Sequence, residues 1–194
     1  PGPSFIERLL DECGDAAVKL SPAVDLESLP AGEVEIIGEG DGLVQAVLWT
    51  GRLARADRSA TRLPGGHTIS GTPVGAPVSP IGRYVLTVDP AVQRAGLMGN
   101  PAQSLGLTAP HPRLGVLTAD APVDHPMLRA FEVLETMPWR VKRLKQWLAA
   151  HDGGIVEVKT RGKAADPDRV QRELRNEGDT TYTVFIFRLD RKVE

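Results

Sequence analysis

The apolar positions of this chain first recur with a helical period. In "SFIERLLDE" (4–12), Phe5, Ile6, Leu9 and Leu10 fall on one helical face, and Ser4 stands where an N-cap is expected. The rhythm then shortens. "AAVKL" (16–20) reads as a short strand stopped by Ser21-Pro22. "EVEIIGE" and "LVQAVLWTG" are two β-rich runs on either side of Asp41-Gly42, a dipeptide that tolerates hairpin backbone angles. Residues 57–80, with "LPGGH", "SGTP" and "APVSP", read as a Gly/Pro-rich connector holding one short strand near His67–Ser70, and a domain boundary is expected there.

Downstream, "RYVLTVD" (83–89) is a strand, and Asp89-Pro90 opens a helix expected to run through "AVQRAGLMG". A proline-interrupted stretch (101–112) leads to two more short strands, "LGVLTAD" and "LRAFEVLETM". This strand–helix–strand–strand order predicts a small α+β module. "PWRVKRLKQWLAAHDGG" (138–154) predicts a helix with Pro138 in its first turn and Gly153-Gly154 ending it, burying Val141, Leu144, Trp147 and Leu148. "IVEVKT" is a strand. "ADPDRVQRELRNEG" is a helix capped by Asp166, started by Pro167 and stopped by Gly178. "TTYTVFIFRL" is apolar on both faces, as a central strand should be.

Gly38, Gly40 and Gly42 pose a question of chemistry, because they are spaced like a loop that cradles a nucleotide or S-adenosylmethionine. Such a loop needs a helix directly after the glycines, its N-terminal amides facing the ligand. Here Val44, Val47, Leu48 and Trp49 follow in strand-like order, and the dinucleotide pattern would need a third glycine at Leu43. A hairpin is therefore expected. Glu33, Glu35 and Glu39 beside it are expected to face water.

Composition narrows the class. Apolar residues make up 41% of the chain and charged residues 25%, ordinary globular usage. No apolar run approaches the roughly 18–20 residues of a membrane span. The acidic start lacks the basic-then-apolar order of a signal peptide. One cysteine, Cys13, gives no internal disulfide and no multi-cysteine metal site, which fits a cytoplasmic protein. Its neighbours Asp11, Glu12 and Asp15 oppose a charged sulfur, so it is not read as a nucleophile. The four histidines lack ligand spacing, so no metal is expected. The first residue is Pro, as expected of a piece of something longer.

Charge is uneven. Residues 1–50 hold two basic residues against ten acidic ones, leaving 21 basic against 15 acidic in the remainder. Between 139 and 163, Arg140, Lys142, Arg143, Lys145, Lys159, Arg161 and Lys163 face only Asp152 and Glu157. These seven are either an ordinary solvated surface or contacts to nucleic-acid phosphates. Trp139 and Trp147 are either base-stacking platforms or core. Ser21 and Asp25, after a strand end, either line a substrate mouth or cap their own turn.

Several stretches together resemble a known family: "AVKLSPAVD" (17–25), "EVEIIGEGDGLVQAVLWTGRLA", "RSATRLPGGHTISG", "PIGRYVLTVDPAVQRAGL" and "VKRLKQWLAAHDGGIVEVKTRGKAADPDRVQRELRNEGD". The most specific part is the basic helix followed by G-x-x-E-V-K-x-R-G and then D-P with Leu174. In order, they resemble the C-terminal half of bacterial class I S-adenosylmethionine-dependent methyltransferase-like proteins that end in a THUMP-like domain. The fold this implies is α/β and α+β: a partial Rossmann-like methyltransferase sheet over residues 1–56, a connector and ferredoxin-like module over 57–135, and an α/β THUMP-like domain over 136–194. "AAVKL" would be a parallel strand, and the 33–50 hairpin would lie at the sheet's far edge.

The resemblance also implies RNA binding by the last domain. The cofactor loop and the catalytic Asp-Pro loop would lie upstream of Pro1. The parent would then use S-adenosylmethionine while this chain alone binds none and is inactive. A sheet cut in mid-domain would expose an edge able to pair with another copy. The contrasting reading is a nucleic-acid- or protein-binding module that never carried catalysis.

Overall fold

The computed structural model, which describes residues 3–189 and 192–193, begins with α1 (Pro3–Glu12). Ser4 falls inside the first turn rather than before it, and its side chain lies outside the described residues. Ile6 is buried, and Leu9 and Leu10 pack on the same core. Phe5 is turned outward instead, because a step of about 100° per residue puts it at the margin of that stripe.

Five strands follow: β1 (Ala17–Leu20), β2 (Glu33–Glu39), β3 (Gly42–Trp49), β4 (Arg58–Leu63) and β5 (His67–Gly71), in the sheet order β1-β3-β2-β4-β5. β3 is antiparallel to both β1 and β2, so "AAVKL" keeps a common sense with β2 but has no parallel neighbour. The 33–50 hairpin is interior rather than at the far edge. Beyond it, β4 adds to β2 in parallel over Val34–Glu39 and β5 closes the sheet antiparallel to β4. The supposed connector is thus part of the sheet, and "LPGGH" is a hairpin turn with Gly65 and Gly66 at positive φ.

The glycines of the opening hairpin have mechanical roles. Gly40 and Asp41 form the turn, with Gly40 at φ +58°, while Asp41 and Gly42 are not its central pair. At Gly38 an added Cβ would lie 3.4 Å from the Ala91 side chain and 3.0 Å from the Gly42 carbonyl oxygen. Gly38 is a packing position.

One face of the sheet carries Val18, Leu20, Val34, Ile36, Ala46, Leu48 and Ala60, all buried in a common core. The other face is polar but not simply wet. Glu33 is only 9% exposed. Its carboxylate accepts from the backbone N–H groups of Arg55 (2.7 Å) and Ala56 (3.2 Å) and from the Ser59 hydroxyl (2.5 Å). Half-buried Glu35 accepts from the Trp49 indole N–H at 3.0 Å and the Thr61 hydroxyl at 2.5 Å. Glu39 alone of the three faces water.

A three-stranded sheet, β7-β6-β8, completes this part of the chain: β6 (Tyr84–Val88), β7 (Val116–Ala119) and β8 (Leu128–Glu132). Asp89 caps α2 (Pro90–Arg94), accepting from Ala91 N–H at 2.8 Å. The helix stops well short of residue 99, because Gly96 turns the chain at φ +75°, and a second short helix, α3 (Gly99–Ser104), follows. Leu86, Val88, Leu117, Met127 and Leu128 join the core of the five-stranded sheet.

The chain divides into two compact units, Pro1–Ala130 and Phe131–Glu194, with no break near 56–57, where β4 runs on beside β2. In the second unit β9 (Gly153–Arg161) and β10 (Thr180–Leu189) are parallel neighbours, and β11 (Lys192–Val193) pairs antiparallel on the other side of β10. β10 is therefore the central strand, as its two apolar faces predict. The helices α4 (Val141–Ala150) and α5 (Pro167–Leu174) pack on this sheet, with Asp166 capping α5 and Pro167 starting it. The architecture is mixed α/β and α+β.

Three outcomes are expected. Glu33→Ala strips the acceptor from three donors at a buried position and should cost about 2–4 kcal/mol in urea unfolding. Glu39→Ala, in water, should cost under about 0.5 kcal/mol. Asp15 sits beside Arg52, whose guanidinium and then whose backbone N–H hold the Asp15 carboxyl below its ordinary value. A depressed carboxyl contributes stability above its unfolded pKa and loses it as pH falls through its folded value. The melting-temperature difference between the parent chain and Asp15→Asn should therefore be present at neutral pH and vanish in strong acid.

Candidate nucleic-acid interface

The cations singled out in the sequence begin at α4, and local chemistry sets where that helix starts. Arg140 is the N-cap, so Pro138 lies outside the first turn expected to hold it; Arg140 has extended φ −148° and ψ 109° and no side-chain cap. Its carbonyl takes the first helical bond, from Leu144 N–H at 3.1 Å. Pro138 precedes the helix. The inner stripe is as expected: Leu148 is fully buried, with Val141, Leu144 and Trp147 half-buried against the same core as Val156, Val158, Val170, Leu174 and Ile186.

The far end of α4 is firmly held. The Trp147 ring stacks on His151 at 4.1 Å and meets Tyr182 edge-on at 5.3 Å. The Tyr182 hydroxyl donates to the His151 carbonyl at 2.9 Å. Asp152 makes the turn at φ +54°, its carbonyl accepting from Thr180 N–H at 2.9 Å and its carboxylate from the Thr180 hydroxyl at 3.3 Å. Gly153 and Gly154 do not end the helix; they open β9. A Cβ on Gly154 would sit 1.6 Å from the Gly178 carbonyl oxygen, so the two segments touch backbone to backbone. Gly178 serves this approach, and α5 has already ended at Leu174.

Outward from α4, Arg140, Lys142, Arg143 and Lys145 are all exposed, and residues 138–151 contain no acid. All four lie at the N-cap or in the first two turns, where the helix dipole is positive and carboxylates are preferred. This arrangement favours an external anion.

Two of the other three basic residues, Lys159 and Arg161, leave the sheet face that α4 covers. Side chains alternate along β9, and Val156 and Val158 face the helices. Lys159 and Arg161 consequently project from the opposite face, and both are half-buried. Lys159 Nζ is committed to Glu157 at 2.6 Å, and an Arg161 Nη donates to the Thr160 carbonyl at 3.0 Å. Lys163 is exposed at the turn after β9, at φ +54°. Neither Trp139 nor Trp147 is an open stacking platform, since both pack on the core. Arg188, exposed on β10 at the same end as Arg161 and Lys163, was not among the seven; only the β9–β10 register reveals it.

Ser21 and Asp25 serve their own loop. The Ser21 hydroxyl accepts from Ala23 N–H at 3.2 Å, and the Asp25 carboxylate accepts from Glu27 N–H at 3.2 Å, capping a single helical turn, Leu26–Ser28. The Arg94 guanidinium holds that loop through the carbonyls of Pro22 and Val24. Among the described residues, no three His, Cys, Asp or Glu side chains gather as a metal site, and no helix is long and apolar enough to cross a membrane.

Comparison with known proteins agrees with the resemblance read from the sequence. Residues 128–193 match the family described as THUMP domain-like. Two curated relatives, each named an uncharacterized S-adenosylmethionine-dependent methyltransferase, come from Mycobacterium tuberculosis strains CDC 1551 / Oshkosh and ATCC 25618 / H37Rv. Each is 37% identical over 182 residues, covering 90% of this chain and 50% of the relative. A solved structure described as a "putative methyltransferase from Porphyromonas gingivalis W83" shares the fold, with a TM-score of 0.73 at 19% identity over 98% of this chain and 52% of that one. The chain thus spans about half the length of the relatives it matches; over that span it is similar to proteins named S-adenosylmethionine-dependent methyltransferases, and its residues 128–193 are THUMP domain-like.

Proposed function

We propose that this chain is the RNA-positioning part of a bacterial, cytoplasmic S-adenosylmethionine-dependent methyltransferase. The observation that carries the reading is α4, whose four exposed cations stand in an acid-free stretch at the positive end of a helix. Such a surface holds a phosphate backbone by charge and counterion release, without reading sequence. The THUMP-like match over residues 128–193 supports the same assignment. S-adenosylmethionine would be held by the rest of the parent protein, since Gly38, Gly40 and Gly42 shape a hairpin followed by β3 rather than a helix. Ser21 and Asp25 stand at the carboxyl end of β1, the place for a substrate mouth, though their side chains already cap their own loop. β1, an edge strand, is where a second copy would add.

Charge reversal at Lys142, Arg143 and Lys145 to Glu should separate binding from stability. Affinity for an RNA oligonucleotide, measured by fluorescence anisotropy, should fall steeply. The melting temperature should hold or rise, because each Glu in the first turn gains about 0.3–1 kcal/mol from the helix dipole. Unchanged RNA binding in a folded triple variant overturns the reading. Calorimetric titration of the chain with S-adenosylmethionine should give no heat of binding; micromolar binding would mean that the glycine hairpin, or another part of the chain, does hold the cofactor.

A further inference from the structure

We infer that the RNA backbone is gripped along one pole of the second unit, running from the first turns of α4 toward the C-terminal ends of β9 and β10, to which those turns point, with Arg188 and Lys163 as phosphate contacts. The inference rests on the RNA reading above and gives it a place. α4 passes into β9 through the two-residue turn His151–Asp152, which sends the helix and the strand in opposite senses. The N-terminal turns of α4 therefore point toward the end of the unit at which β9 finishes. β10 is parallel to β9, with Phe187 opposite Arg161, so it finishes there too. A Cβ on Gly162 would lie 3.1 Å from the Arg188 carbonyl oxygen, which sets the Arg161–Lys163 turn directly against Arg188.

The poles differ in charge. At the first stand Arg140, Lys142, Arg143, Arg161, Lys163 and Arg188, against Asp166 and Asp168 in the opening of α5. The Asp166 carboxylate is occupied in capping, accepting from the N–H groups of Asp168 and Arg169. At the opposite pole, Asp152 is bonded to Asp179 and Thr180 beside Glu177, with Arg175 and, in the last turn of α5, Arg172 as the cations. A polyanion is thus drawn to the first pole in preference to the other.

The backbone at the first pole also bears strain. Gly162 and Lys163 both lie in the left-handed region, at φ +69° and φ +54°. A lysine there is costlier than glycine, and strain of this kind gathers where a side chain has to be presented. An anionic membrane fits less well than RNA, because the apolar stripe of α4, the helix that carries the cations, is spent on the core.

The test uses the full chain and a labelled single-stranded RNA oligonucleotide across a salt series. Arg188→Gln and Lys163→Gly should each weaken binding about fivefold at 0.1 M salt and flatten the log K against log salt slope by about 0.7. Lys163→Gly should at the same time hold or raise the melting temperature, which loss of fold would not do. Arg175→Gln, at the opposite pole, should change neither affinity nor slope. If Arg188→Gln and Lys163→Gly behave like Arg175→Gln while the α4 triple variant loses RNA, the pole is wrong and the RNA reading stands. If the parent chain binds vesicles of anionic lipid but not RNA, both fail.

Discussion

Alternation along a strand is the constraint from which most of this structure follows. In β2, Val34 and Ile36 go to the core, so Glu33 and Glu35 must go to the other face. A carboxylate as buried as that of Glu33 is tolerable only with donors around it. Those donors belong to residues 55, 56 and 59, which the chain brings back by laying β4 beside β2. That pairing extends the sheet to five strands and carries the first unit past residue 56. The same rule governs β9. Because Val156 and Val158 bury against the helices, Lys159 and Arg161 leave the face that α4 covers for the other side of the sheet.

The features legible in the sequence are those set by local chemistry. Asp89-Pro90 and Asp166-Pro167 announce helix starts because cap and first-turn residue act within one turn. The apolar stripe of α4 and the two-faced β10 were legible for the same reason. The parallel β2–β4 pair was not, since it joins residues some 24 positions apart and β4 has few apolar residues to declare it. "RSATRL" reads as a connector until Ser59 and Thr61 are seen to serve Glu33 and Glu35.

Glycine positions misled in a consistent way. Gly153, Gly154 and Gly178 read in the sequence as helix stops, yet Asp152 supplies the left-handed residue that ends the α4 segment. The glycines are there because two backbones meet. Gly38 stands in the hairpin that the sequence predicts, and its further role, admitting Ala91, is one that no local pattern marks. Close approach between distant segments leaves no trace in local pattern, so a glycine chosen for it looks the same as one chosen for a turn. The candidate interface shows the same limit: α4 was legible as a basic helix, while Arg188 needed the register of β10 against β9.

The energetics of α4 explain how a helix can carry its cations at the wrong end. Arg140, Lys142 and Arg143 against the dipole cost about 0.3–1 kcal/mol each, at most some 3 kcal/mol together. Burial of Leu148 alone offsets about 1.5–3 kcal/mol, and Trp147, packed between His151 and Tyr182, adds to it. The core side wins. Moreover, the contacts that hold α4 by aromatic stacking and by the Asp152 turn all act at its C-terminal end. The N-terminal end packs Val141 and Leu144 on the core but, with no side-chain cap and no carboxylate, leaves its dipole uncompensated and open to an anion. A helix anchored at one end and uncompensated at the other is poorly arranged for stability alone, and it suits a surface whose missing negative charges arrive with the ligand.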